Sequence, residues 1–356
     1  MKLINAIKLI VVKNEKIMAR KPYLVILIIL LVSWSKVYSQ QCDCSTQLAF
    51  AIEKTETNYA GFSDKVTEAT RQKYNEHTQL FKNKAAKEKN AEGCLKLVTD
   101  WLGFFKDGHL EIRKNTKEAG AASAGAATTI NTRFYFKKLG AETNLIRIAS
   151  FNHVYKKVID SIIKANYSVI TAAKYLLIDL RGNRGGSDVS YEELMPFIYT
   201  NPINVVGMDK LSTPDNIAKY EVMVNDESYP QPTREYAKKI IEQLKTNPGK
   251  FLAGDDDTFR LKEILPFPAL VGVLVDKKCG STTEQFLLAS KQSKKVVMFG
   301  ENSAGVLDYA NMHFLDFPCY EWRLGYATSR SRRLPDQPVD NIGISPDIHL
   351  ESYPET

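Results

Sequence analysis

The reading turns on 269-ALVGVLVD-276 followed by 279-CGSTTEQFLLASKQS-293. An apolar run of strand length stops at Asp276, the chain turns on Cys279-Gly280, and a helical pattern begins at Ser281. A short β-rich run feeding a helix through a tight turn is the unit of an α/β protein. At such a junction the first helical N–H groups are unpaired and the helix dipole is positive. Ser281 there is a preferred N-cap, and Glu284 three residues on completes a capping box. The same position can hold a nucleophilic hydroxyl beside ready oxyanion donors. Locally the cap is the stronger of the two readings.

Working outward, the alternation repeats. Runs at 144–151, 175–180, 271–276 and 295–300 read as strands, and 153–172, 190–199 and 281–293 as helices. This predicts an α/β fold with a parallel-rich sheet flanked by helices. Residues 45–106 carry apolar positions at helical spacing and predict an N-terminal helical region. A small-residue tract, 119-AGAASAGAATTI-130, separates that region from the α/β part. The expected organisation is a signal peptide at 1–39, a helical region at 40–118 and a core at 131–356. A long insertion at 201–268 interrupts the core and holds a charged helix at 233–245.

The segment 18-MARKPYLVILIILLVSWSKVYSQ-40 has the layout of a secretory signal: basic residues, an apolar core too short for a membrane span, then small residues. It predicts export to the periplasm or cell envelope, with membrane attachment only through an uncleaved signal. Beyond residue 39 the chain has 41 basic and 40 acidic residues, because seven of the 48 Lys/Arg and one of the 41 Asp/Glu lie before it. Nothing in that balance calls for nucleic acid. Export permits disulfides. Cys42 or Cys44 could pair with Cys94, and Cys279 with Cys319; the odd count leaves one of the five free, and the spacing does not fix the connectivity. The cysteine spacing does not fit zinc, and no cofactor or metal is expected. The run 254-GDDD-257 reads as an exposed turn and 328-TSRSRR-333 as solvated surface.

Two further stretches can carry chemistry. In 175-YLLIDLRGNRGGSD-188 a strand runs into a glycine-rich loop whose N–H groups could cradle an oxyanion. It has neither phosphate-loop nor dinucleotide spacing. In 107-DGHL-110, His109 is one of only five histidines, and a serine nucleophile needs a base titrating near neutrality.

In this order the pieces resemble the C-terminal processing (tail-specific) protease family. The resemblance rests on 177-LIDLRGNRGGS-187, 273-VLVDKKCGSTTEQF-286, 298-MFGENSAG-305 and 343-GISPDIHL-350, and spans about residues 107–350. It implies a ClpP/crotonase-like core and a serine endopeptidase acting on peptides or protein tails. Ser281 falls on the family nucleophile. Val306 stands where many members carry a general-base lysine, so the resemblance points to the tricorn-like branch, with His109 as base and Asp340 as its carboxylate. Asp340 replaces a glutamate, and Gly108 replaces a serine that precedes the histidine in that branch. The oxyanion hole is implied at Gly185 or Gly186 with Thr282. There is no room for a PDZ module between His109 and the strand at 144, so substrate capture is expected of the 201–268 insertion or the N-terminal helices. Two other readings share the scaffold: a non-catalytic ligand- or peptide-binding protein, and an acyl-CoA enzyme, for which no suitable basic cluster is visible.

Overall fold

In the computed structural model, residues 42–115, 133–227, 229 and 231–350 are described. The expected signal segment at 1–39 lies outside them. Among the described residues no helix is long and apolar enough to cross a membrane.

The N-terminal region forms helices α1 (Cys44–Asn58), α2 (Phe62–Lys65), α3 (Glu68–Ala85) and α4 (Ala91–Leu102), followed by strand β1 (Glu111–Lys114). α1 starts where the Asp43 side chain accepts from Thr46 N, and α4 where Asn90 accepts from Glu92 N. A disulfide joins Cys44 in α1 to Cys94 in α4.

The central layer is a six-stranded sheet in the order β13-β10-β9-β4-β3-β2. Its strands are β2 (Phe134–Lys138), β3 (Thr143–Ile148), β4 (Tyr175–Asp179), β9 (Leu270–Val275), β10 (Val296–Gly300) and β13 (Ile348–His349). β3, β4, β9, β10 and β13 run parallel, and β2 closes one edge antiparallel. The β-branched run of β9 explains its central place: Val271, Val273 and Val275 are fully buried. Helix α5 (Lys156–Ala172) covers the sheet with Ile159, Ile163 and Ile170, and α6 (Met195–Ile198) and α9 (Thr282–Ser290) complete the same core. The α/β reading and the parallel-rich sheet therefore stand.

A second sheet is antiparallel. β12 (Trp322–Ser331) pairs with β11 (Tyr309–Asp316), β1 and β6 (Met208–Leu211), and β6 pairs with β7 (Phe251–Leu252). Its long strands share a core with the N-terminal helices, where Trp101, Phe105 and Tyr59 meet Leu324, Tyr326 and Ala327. The helical region is thus packed against the C-terminal strands, and the described residues from Asp43 onward form one compact unit. The 201–268 insertion adds β5 (Ile203–Val205), β8 (Asp257–Phe259) and helices α7 (Pro214–Asn225) and α8 (Gln231–Lys245). It joins the second sheet through β6 and β7.

Two expectations fail. Cys279 is a free, fully buried thiol, while Cys319 is engaged in a disulfide. Cys279 Sγ donates to Leu180 O at 3.0 Å and lies 3.3 Å from Asp276 Oδ1, so it ties the end of β4 to the turn after β9. Burial pushes this thiol well above its ordinary pKa. The run 328–333 is not solvated surface either. Thr328, Ser329, Ser331 and Arg333 are buried, Arg330 pairs with Asp64 and Arg332 with Asp256. Ser329 and Ser331 share one face of β12 and Thr328 lies on the other, all buried, which the basic composition concealed, while Arg332 stays exposed.

Candidate active site

Ser281 sits at the N-cap of α9 with φ 56° and ψ −124°. A non-glycine residue in that region costs of the order of 1–3 kcal/mol and persists only where its surroundings hold it. Here the holder is Glu284, which is fully buried. Its carboxylate accepts from Ser281 N (3.0 Å), Ser303 Oγ (2.6 Å), Gly305 N (2.7 Å) and Val306 N (2.9 Å). The capping box is therefore present, and it also ties the serine turn to the loop at 303–306. Ser303 Oγ accepts from Ile344 N at 2.7 Å, which brings in the 343-GISPD-347 stretch. Asp347 accepts from Met298 N and Lys291 Nζ, a structural duty.

The glycine loop lies directly on this turn. A Cβ at Gly185 would stand 2.9 Å from Ser281 Cβ and 2.8 Å from Thr282 N, so only glycine permits the approach. Asn183, which sequence reasoning passed over, fixes the loop. Its Oδ1 accepts from Phe151 N and Gly185 N, its Nδ2 donates to Ile148 O, and its backbone O accepts from Gly280 N and Thr283 Oγ1. The visible signal was a single asparagine inside a run of glycines and arginines. Gly185 N is thus already occupied. Gly186 N and Thr282 N have no acceptor among the described residues.

His109 follows a turn in which Lys106 has φ 48° and His109 N donates to Asp107 Oδ1 at 2.7 Å. Asp107 Oδ2 accepts from Tyr59 OH at 2.5 Å, so α1 positions the turn. Asn341 Nδ2 donates to Lys106 O at 3.0 Å, which sets the same turn beside the loop that carries Asp340. Asp340 Oδ1 accepts from Leu307 N (2.7 Å) and Asp308 N (2.8 Å). Asp308 Oδ2 accepts in return from Val339 N and Asp340 N, and Arg333 Nη2 lies 3.5 Å from its other oxygen. Burial, then the neighbouring Asp107, pushes the Asp340 carboxyl up to about 7.

Val306 links the two sides. A Cβ at Gly108 would meet Val306 Cγ1 at 2.5 Å, and one at Gly280 would meet Val306 Cγ2 at 2.7 Å. The His109 turn and the Ser281 turn therefore close on the same side chain, which occupies the expected lysine position. Gly108 follows from this, since the serine carried by the tricorn-like branch would collide with Val306. Among the described residues no hydrogen bond joins Ser281 Oγ, the His109 ring and the Asp340 carboxylate. His109 Nδ1 and Asp340 Oδ2 are both buried without a partner. One is an imidazole nitrogen and the other a carboxylate oxygen. No metal-ligand cluster occurs among the described residues.

No curated protein matches the chain. Among solved structures, mature CPAF complexed with lactacystin superposes with a TM-score of 0.59 at 11% identity, covering 86% of this chain and 93% of that one. A candidate peptidase from Parabacteroides merdae gives 0.56 at 15% identity, covering 86% and 90%. A lipoprotein from Streptococcus agalactiae gives 0.51 at 14%, covering 89% and 95%. These likenesses establish the fold. The model of peptidase family S41 matches residues 142–350, more than half of the chain. The protein accordingly belongs to peptidase family S41, the C-terminal processing serine peptidases.

Proposed function

We propose that the protein is an endopeptidase that cleaves peptides or protein tails through Ser281, His109 and Asp340. The observation that carries this reading is the convergence of two turns on Val306, with the buried Nδ1 of His109 and Oδ2 of Asp340 left unpartnered. Two orphaned buried polar atoms cost free energy, and this pair is complementary. A hydrogen bond from His109 Nδ1–H to Asp340 Oδ2 would satisfy both. It would also fix the tautomer that leaves Nε2 free to take the Ser281 proton.

In the proposed reaction Ser281 Oγ attacks the scissile carbonyl carbon while His109 Nε2 accepts its proton. The carbonyl oxygen becomes an oxyanion, bound by the N–H groups of Gly186 and Thr282. Gly185 shapes the cradle by its close approach. The tetrahedral intermediate collapses as His109 returns the proton to the leaving amine, which breaks the C–N bond and leaves an acyl ester on Ser281. Water, deprotonated by His109, then hydrolyses the ester and restores the enzyme. Asp340 must be ionised to stabilise the imidazolium. Activity should therefore rise as the pH passes through about 7.

The location belongs to the same proposal: export to the periplasm or cell envelope. It is supported by the layout of 18–40 and by the Cys44–Cys94 disulfide, a bond that persists in oxidising compartments. The test of activity is hydrolysis of an internally quenched peptide library by wild type and Ser281→Ala. Hydrolysis lost only in the variant supports the proposal. A folded wild type inert toward the whole library would favour the binding-protein reading instead.

A further inference from the structure

The last residue of α1, Asn58, is fully buried although its side chain is an amide. A buried amide needs partners, and here they come from the 201–268 insertion. Asn58 Nδ2 donates to Asp215 Oδ2 at 2.8 Å, and Asn58 O accepts from Asn216 Nδ2 at 3.0 Å. Asp215 also accepts from Lys54 Nζ, one turn earlier on α1, at 3.0 Å. Asn216 is buried and fixed in turn. Its N donates to Thr213 Oγ1, the N-cap of α7, and its Nδ2 donates to Leu211 O at the end of β6. The first turn of α7 is thereby joined to the last turn of α1. The positive end of one helix dipole meets the negative end of the other.

The next residue is Tyr59, where α1 stops. Its ring is buried and edge-on to Phe105, with centroids 5.7 Å apart, and Ala60 N ties the exit to Ala327 O at 3.0 Å. The chain then folds over the phenol: a Cβ at Gly61 would stand 2.2 Å from the Tyr59 hydroxyl. That hydroxyl donates to Asp107 Oδ2 at 2.5 Å, and Asp107 Oδ1 accepts from His109 N at 2.7 Å. No other side chain donates to Asp107 among the described residues. The direction of the Asp107 carboxylate, and with it the His109 turn, therefore depends on where α1 ends. A misplacement of about 1 Å at a catalytic group can cost roughly 10²-fold in rate.

From this series of bonds we infer that Asp215 and Asn216 of the insertion are positioning residues for His109, acting through Asn58, Tyr59 and Asp107. The insertion is thus part of the frame of the histidine, although neither residue bonds to His109. The catalytic readout rests on the peptidase reading; the bonds that place the His109 turn do not.

Coupling between distant residues is demonstrated by a double-mutant cycle, not by a chain of contacts alone. With an internally quenched peptide that wild type cleaves, Tyr59→Phe and Asn216→Ala should each lower kcat by about tenfold, with KM changed less than about twofold. The double variant should lose little more than either single one. Asp215→Ala should lower kcat in the same way. Asp215→Asn keeps an oxygen for Asn58 Nδ2 and should stay within about threefold of wild type. The second readout is the His109 amide resonance in ¹H–¹⁵N NMR of the folded protein, which a role in stability alone would not move. Tyr59→Phe, Asn216→Ala and Asp215→Ala should shift it in the same direction. If Asn216→Ala does not fold, the two Asp215 variants and their amide resonances decide. Multiplicative losses in the double variant, or an unmoved His109 resonance in both alanine variants of the insertion, would overturn the inference. A folded wild type that cleaves nothing would remove the peptidase reading alone, and the resonance would then settle the positioning role.

Discussion

The turn that carries Ser281 and the loops that carry His109 and Asp340 face each other across Val306, and they are built in opposite ways. On the serine side four donors converge on the buried Glu284, and Asn183 pins the glycine loop. On the other side the backbone is held firmly by Tyr59, Asp107, Asn341 and Asp308, while the reactive atoms are left open. The serine must be held in a conformation it would not choose, and its φ of 56° shows the strain. In the proposed reaction His109 moves the proton and Asp340 stays ionised beside it, so each needs a polar atom that no other group holds. Rigidity thus resides in the frame, while His109 Nδ1 and Asp340 Oδ2, the atoms the proposed reaction would pair, are left without partners.

Six substitutions test that contrast. Ser281→Ala and His109→Ala should each lower kcat by roughly 10⁴–10⁶-fold while leaving the denaturation midpoint near wild type. Equal loss from both would show that the open side is as necessary as the saturated one. Glu284→Ala should instead act on stability, at about 3–5 kcal/mol, because it strands donors around a buried site. Chemical denaturation reads this directly, and a cost below about 1 kcal/mol would mean that Glu284 does not hold the turn.

Gly108→Ser should cost about 1–3 kcal/mol by overpacking against Val306, and Val306→Ala should recover much of that in the double variant. Additive effects in this cycle would mean that the two turns do not share the side chain as described. The smallest effect concerns pH. Asp340 holds its proton in the fold up to about 7, against an ordinary value of 3.8. Its contribution to stability is fully present below about pH 4 and is lost as the pH rises through about 7. Asp340→Asn should flatten that slope by about 1–2 kcal/mol after allowance for solvent screening, and remove the acid limb of the activity profile.

Much of the serine side was legible in the sequence because its determinants are local. The strand, the turn, the capping box and the glycine loop each occupy fewer than about fifteen consecutive residues, within reach of periodicity and capping rules. The closing 343-GISPD-347 stretch was legible only through the family resemblance. The other side depends on contacts between distant parts of the chain. Tyr59 meets Asp107 across α1 and the histidine turn, Asn341 meets Lys106, and Val306 meets Gly108. No spacing rule announces such pairs. Cys279 illustrates the same limit: the odd count required one free cysteine, but only its packing against Leu180 O shows which one it is. The second sheet was hidden because β12 carries serines and arginines on a strand whose burial is decided by the N-terminal helices.

The central claim is that Ser281 is a nucleophile activated by His109. The most direct measurement is the rate of covalent labelling by a fluorophosphonate, with the adduct mapped by tandem mass spectrometry. The account predicts a phosphonyl group on Ser281 in wild type, none in Ser281→Ala, and labelling slowed by about 10²-fold or more in His109→Ala. Folded wild-type protein that stays unlabelled, or His109→Ala labelled at the wild-type rate, would contradict it.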